Sequence, residues 1–137
     1  MKIPPAHRWD VTPQQAMQIQ RELARRVIEE DRLGGVKLVA GVDVGFEGDG
    51  NKTARAAVVV LNLTDLQPVD SAVARMPVTF PYIPGLLAFR EGPAVLAAWE
   101  KVQHKPDVVM FDGQGIAHPR GMGIASQMGL WIERPTI

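Results

Sequence analysis

The chain has 137 residues, 46% hydrophobic and 22% charged, enough for one globular domain with a buried core. Its 15 Lys+Arg balance 15 Asp+Glu, so bulk charge does not announce a nucleic-acid partner. Cysteine is absent, which excludes disulfides and thiolate metal sites, and no leader-type or bilayer-length apolar run is present, so the default expectation is a cytoplasmic protein with no membrane partner.

The first predicted element is a helix. Thr12 caps it, Pro13 suits its first position, and Gln15 completes a T-x-x-Q capping box. Ala16, Ile19, Leu23 and Val27 recur at helical spacing, and the pair Gly34-Gly35 marks the expected end. Three β-type runs follow, over 37–46, 54–63 and 69–78, separated by EGDGNKT and LTDLQP. Short polar turns between such runs predict an antiparallel meander. The first run lacks clean alternation, the pattern of a strand buried on both faces. A helix is expected over 94–103, with Pro93 in its first turn or kinking one that starts at Leu86. DVVMFDGQG, 107–115, reads as a short buried strand closing at Asp112. GIASQMGLWIE, 123–133, reads as a further helix, and the strand–helix–strand–helix order argues for a crossover onto the sheet.

Two aspartates sit in apolar strands, Asp43 in KLVAGVDVGF and Asp112 after VVMF. An ionised carboxylate there is costly unless it is paired or binds a cation. A single strand-end aspartate is most simply bonded to turn amides. Two on neighbouring strands favour a shared cation, with Glu91 as a third ligand in place of a solvated partner for Arg90. Oxygen ligands on separate elements suit Mg2+ or Mn2+. His118 follows in DGQGIAHPR, either as an ordinary loop imidazole or as a phosphate or proton-transfer contact; His7 and His104 are expected at the surface. FPYIPGLLAFRE places two prolines around Tyr82-Ile83, which by itself describes a rigid turn packing Tyr82 onto the core.

GVDVGF, PYIPGLLAFRE and DGQGIAHPR occur in this order and together resemble the endonuclease V family, from about residue 14 to the end; GIASQMGL fits the same pattern. The resemblance implies a ribonuclease H-like α/β fold: a mixed sheet, with a three-strand antiparallel meander and a parallel strand, flanked by helices. It implies Mg2+-dependent cleavage (Mn2+ as the other ion) of the second phosphodiester 3′ of deoxyinosine in DNA repair. Asp43, Glu91 and Asp112 match the family's metal-binding catalytic acids, and His118 matches a histidine near the metals. Pro81, Tyr82, Ile83 and Pro84 match a wedge that enters the duplex, while Gly85, Leu87 and Gly113 match the base pocket. A stiff apolar blade separates stacked bases with little ordering cost, so that the lesion base turns out. Hypoxanthine lacks guanine's amine and offers an N1–H donor where adenine has an acceptor, so a close-fitting pocket rejects both.

The pattern departs at Gly121, where a second basic residue is common, and at Gln127, where histidine is usual. The family also continues through a lysine-bearing strand and a later helix. Residues 1–137 are therefore expected to form one endonuclease V-like domain incomplete at its C-terminal end, with Thr136-Ile137 beginning a fifth strand. Such a chain is expected to self-associate through the bare edge of VVMF, or to be marginally stable, and to nick more slowly than a longer form. The competing readings are a non-cleaving module for inosine-containing or distorted DNA or RNA, and an inosine-specific endoribonuclease.

Overall fold

A computed structural model describes residues 5–137. It contains α1 (Pro13–Ala24), β1 (Leu38–Glu47), a short 3-10 turn (Asp49–Asn51), β2 (Thr53–Asn62), β3 (Pro68–Pro77), α2 (Leu87–Lys101), β4 (Val108–Phe111) and α3 (Ile124–Ile132). The 4-stranded sheet has the order β3-β2-β1-β4. β1, β2 and β3 form the expected antiparallel meander, and β4 joins β1 in parallel. Among the described residues, no helix is long and apolar enough to cross a membrane.

Alternation along the strands sends Ala40, Val42, Ala54, Ala56, Val58, Val60, Ala72 and Ala74 into one core. Small Ala side chains let α2 lie close against β2 and β3, and Val95, Ala98 and Trp99 fill the contact. β1 is covered on one face only. Gly41 and Asp43 are exposed between and beyond buried Ala40 and Val42, contrary to the two-sided burial its composition suggests. β4 is likewise not fully buried, since Met110 is 51% exposed. A second, smaller core gathers Ala16, Phe80, Leu86 and Phe89, which roots α1 beside the start of α2.

One helix boundary differs from the sequence expectation, and a second is decided between its two readings. The capping box of α1 forms as read, with Gln15 N–H donating to Thr12 Oγ1 at 3.2 Å and Thr12 N–H to Gln15 Oε1 at 2.9 Å. The helix nevertheless stops at Ala24, well before Gly34-Gly35. Arg26 and Val27 bond back to Leu23 and Ala24 in a tightened last turn, and Ile28 and Leu33 beyond it are exposed. With nothing to pack against, the apolar stripe has no reason to stay helical. α2 takes the longer of its two readings, and Pro93 lies inside it.

The outer edge of β4 is not bare. Val109 N–H donates to Pro135 O at 3.0 Å, Ile137 N–H to Val109 O at 2.9 Å and Phe111 N–H to Ile137 O at 2.8 Å. Thr136 thus pairs in parallel with Val109, as the start of a fifth strand. The bare VVMF edge on which the expectation of self-association rests is therefore absent, because those backbone groups already have partners.

The N-terminal segment docks over α2 and α3. Trp9 stacks on Trp131 with centroids 5.1 Å apart and meets Phe89 edge-on at 5.6 Å. A Cβ on Gly92 would lie 2.5 Å from the Trp9 ring. Gly92→Ala is therefore expected to push Trp9 out and cost about 1–3 kcal/mol by overpacking, although Ala is the better helix former by about 1 kcal/mol. Urea denaturation with near-ultraviolet dichroism of the tryptophans measures both effects, and a net gain in stability would show that the docking contributes little.

Candidate active site

Parallel pairing of β1 with β4 sets the site. The register runs from Val39 opposite Val108 to Val42 opposite Phe111. The next residue on each strand is an aspartate, Asp43 and Asp112, and both are exposed. Glu91 comes from the first half of α2 and is partly buried. Burial raises its carboxyl from the ordinary 4.5 to about 7; Asp43 adds upward pressure, Arg90 opposes it, and Asp112 adds a smaller upward push. The three acids therefore feel one another's charge. Asp43 accepts from Val44 N–H at 2.9 Å, whereas the carboxylates of Glu91 and Asp112 take no hydrogen bond from any described residue. No group of three or more acidic or histidine side chains is drawn together at ligating range among the described residues. What the site offers is hard oxygen donors under mutual repulsion, a donor set that suits a divalent cation retaining several waters.

The proline-bracketed stretch lies between the end of β3 and α2. Tyr82 is 70% exposed, which removes the alternative in which it packs onto the core. Ile83 instead turns inward against Phe80, Leu86 and their neighbours. Pro81 and Pro84 are exposed. Both ends of the blade are tied to buried residues. At the near end Arg90 Nη1 donates to Phe80 O at 3.0 Å, while its guanidinium lies 4.7 Å over the Phe46 ring. At the far end Leu86 N–H closes the turn onto Ile83 O at 3.0 Å.

Behind the blade is a pocket of about 250 Å3, lined among others by Tyr82, Gly85, Leu87, Gly113, His118 and Ile124. All three residues that the family pattern assigns to a base pocket are thus gathered in one cavity. At Gly113 a Cβ would meet Ile124 Cγ2 at 2.4 Å, so the wall there is main chain by necessity. A larger, more open groove of about 400 Å3 runs along α1 past His7 and Asp10 and contains none of the three acids.

His118 uses both ring nitrogens. Its Nδ1 accepts from Arg120 N–H at 3.0 Å and Met122 N–H at 3.3 Å. Backbone amides only donate, so Nδ1 is bare and Nε2 carries the proton, which it donates to Gly85 O at 2.7 Å. The ring in this structure holds the loop after β4 against the end of the blade.

Two readings of polar residues change. His7 is not a surface residue. It sits among Trp9, Phe89 and Trp131, and burial pushes its imidazole below the ordinary value. Its Nε2 accepts from Trp131 Nε1 at 2.8 Å and lies 2.9 Å from Gln127 Nε2. Gln127 is fully buried and serves as a donor to the N-terminal segment, which accounts for an amide at this position. His104 is exposed as expected, its backbone N–H bonded to Asp70. Sequence reasoning also passed over Gln20 and Arg120. Gln20 had a signal: it lies four residues after Ala16 and three before Leu23, a polar residue on the buried stripe of α1.

The Glu91 carboxyl ties stability to pH. A native value of about 7 against 4.5 means that the folded chain keeps a proton which the unfolded chain has released. This contribution is complete below pH 4.5 and is lost as pH rises to about 7. His7 works in the opposite sense as pH falls through its titration, so the two are separated by comparison with Glu91→Gln. That variant is expected to be the more stable protein at pH 8 without metal, and Mg2+ is expected to raise the wild-type melting temperature at pH 8 but hardly at pH 5. Equal Mg2+ effects at both pH values would place the ion elsewhere.

The family model for endonuclease V matches residues 21–137. The chain is 54% identical over 138 residues to an endonuclease V of Trichormus variabilis, covering 100% of this chain and 62% of that protein. It thus spans about three-fifths of the length of this relative. Among solved structures it is similar to endonuclease V from Streptomyces avermitilis, with 44% identity and a TM-score of 0.86 over 96% of this chain and 58% of the other. It is also similar to endonuclease V from Ciona intestinalis bound to a 24mer DNA containing an inosine followed by a ribo-adenosine, with 29% identity and a TM-score of 0.76 over 91% of this chain and 56% of the other. On the family match across most of its residues, the chain belongs to the endonuclease V family.

Proposed function

We propose that this chain carries the wedge, base pocket and acidic residues of a deoxyinosine-directed endonuclease that nicks the second phosphodiester 3′ of the lesion. The observation that carries the reading is a pocket lined by exposed Tyr82 together with Gly85, Leu87 and Gly113, with Leu87 on the helix that bears Glu91 and Gly113 next to Asp112. The inosine-containing DNA on the Ciona intestinalis relative supports DNA as the partner.

Tyr82 enters the stack beside the lesion, and the rigid prolines keep the blade from folding back. The extruded base enters the pocket, where main-chain walls limit its width. Asp43, Glu91 and Asp112 would hold Mg2+ or Mn2+, which supplies polarisation of the phosphate and activation of water. Glu91, held near 7 by burial and by its acidic neighbours, releases its proton in the neutral range and so becomes available as a ligand. Arg90 braces the near end of the blade between Phe80 O and Phe46 and lies next to Glu91 on α2.

Asp43→Asn and Asp112→Asn are expected to leave the metal-free chain as stable as wild type or more so, because each removes a like charge near Glu91. Both are expected to slow Mg2+-dependent nicking of an inosine duplex on the order of a thousandfold, the equivalent of several kcal/mol of transition-state stabilisation. Gel assay of end-labelled duplex measures this. Inosine-selective binding by wild type without nicking would replace the enzyme with a binding module. Tyr82→Ala is expected to weaken binding to inosine duplex more than to inosine single strand, since only the duplex must be unstacked. Equal losses in a titration of both substrates would make Tyr82 a stacking platform.

A further inference from the structure

We infer that Gln20, on α1 and outside the blade and the pocket, is a positioning residue that sets the far end of the blade through the Gly85 carbonyl. The inference rests on the wedge reading above and adds to it the group that holds the wedge in place. Gln20 is 1% exposed, and both polar atoms of its amide have partners. Nε2 donates to Gly85 O at 2.8 Å, and Oε1 accepts from Arg120 Nε. The same carbonyl accepts from His118 Nε2 at 2.7 Å and, at a longer 3.3 Å, from Arg120 Nη2. One oxygen therefore ties together the first helix, the end of the blade and the loop after β4. Gly85 itself has φ of +86, and a Cβ there would lie 2.7 Å from Arg120 Nη2, so only glycine presents its carbonyl to these donors.

The chemistry requires an amide. Gly85 O needs a donor and Arg120 Nε needs an acceptor, and a carboxamide supplies both from one buried group. Glu would keep the pair with Arg120 but set a carboxylate against a carbonyl. Met would keep the volume and lose both bonds. Arg90 on Phe80 O secures the near end of the blade, so loss of the Gln20 donor, which leaves the Gly85 carbonyl to His118 and Arg120 alone, loosens the far end and lets it hinge. A hinged blade must be ordered as it enters the duplex, which draws on the binding energy needed for unstacking. Capture of a base from a single strand makes no such demand.

The chain has one tyrosine, so 13C-labelled tyrosine gives a single ring signal that reports the blade without any DNA. In Gln20→Met and Gln20→Glu that signal is expected to shift and narrow, and binding to an inosine duplex to weaken about 10-fold, equivalent to 1.4 kcal/mol. Binding to the inosine single strand is expected to change much less. If Gln20→Met does not fold, Arg120→Lys, which keeps the charge but lacks the Nε donor, carries the same expectation. An unchanged Tyr82 signal, or equal losses on duplex and single strand with a lowered melting temperature, would reduce Gln20 to an ordinary packing residue. Should wild type fail to prefer inosine over adenine DNA, the functional reading fails, and the Tyr82 signal alone decides whether Gln20 positions the blade.

Discussion

The site depends on four residues of parallel pairing between β1 and β4. Parallel neighbours cannot be joined by a tight turn, so the chain must leave β3, cross over the sheet and return. That crossover is α2, and it delivers Glu91. The blade is the approach to the same crossover. One topological requirement therefore places Asp43 in mid-β1 beside Asp112 at the end of β4, a third acid on the helix between them in sequence, and the proline-bracketed blade beside the pocket. A slip of the β1–β4 register by one residue would move Asp112 away from Asp43 and turn its side chain to the opposite face.

The carboxylates are arranged against their own electrostatics. Glu91 would be more easily ionised in water than where it is, and Asp43 and Asp112 add to its difficulty. A structural role would be better served by an amide or an apolar side chain at any of these places. Charge kept at a cost in stability supports the proposal that the charge is used, and under that reading a cation would relieve the repulsion that the fold imposes.

Buried polar groups supply the rigidity that this arrangement needs. Gln20 and Gln127 are the buried polar side chains among the described residues, and each joins segments remote in sequence. Gln20 links α1 to Gly85 and Arg120, and Gln127 links α3 to His7 and the docked N-terminal segment. The Gln127 Oε1 has no partner among the described residues, so this second node is held less completely than the first. Hydrogen bonds of this kind add little net free energy but are costly to break once buried, which confines each segment to one position.

The local elements were legible because their signals are local. The capping box at Thr12, the apolar alternation of three strands and the turn residues between them act within a few residues, and the strands lie within a residue or so of their expected bounds. The acids were legible as carboxylates in apolar strands, and the blade as prolines around Tyr82. Long-range partners decided the rest. α1 ends at Ala24 because no surface receives its continuation, and β1 shows Asp43 to solvent because the helices cover one face of the sheet only. Tyr82 projects while Ile83 packs, although both are apolar neighbours, because the second core has room on one side of the blade. His7, Gln20 and Gln127 carry ordinary side chains whose roles exist only once distant donors and acceptors meet. Chemistry along the chain determined which groups are present; the packing of one segment on another determined which of them are buried, paired or left free to act.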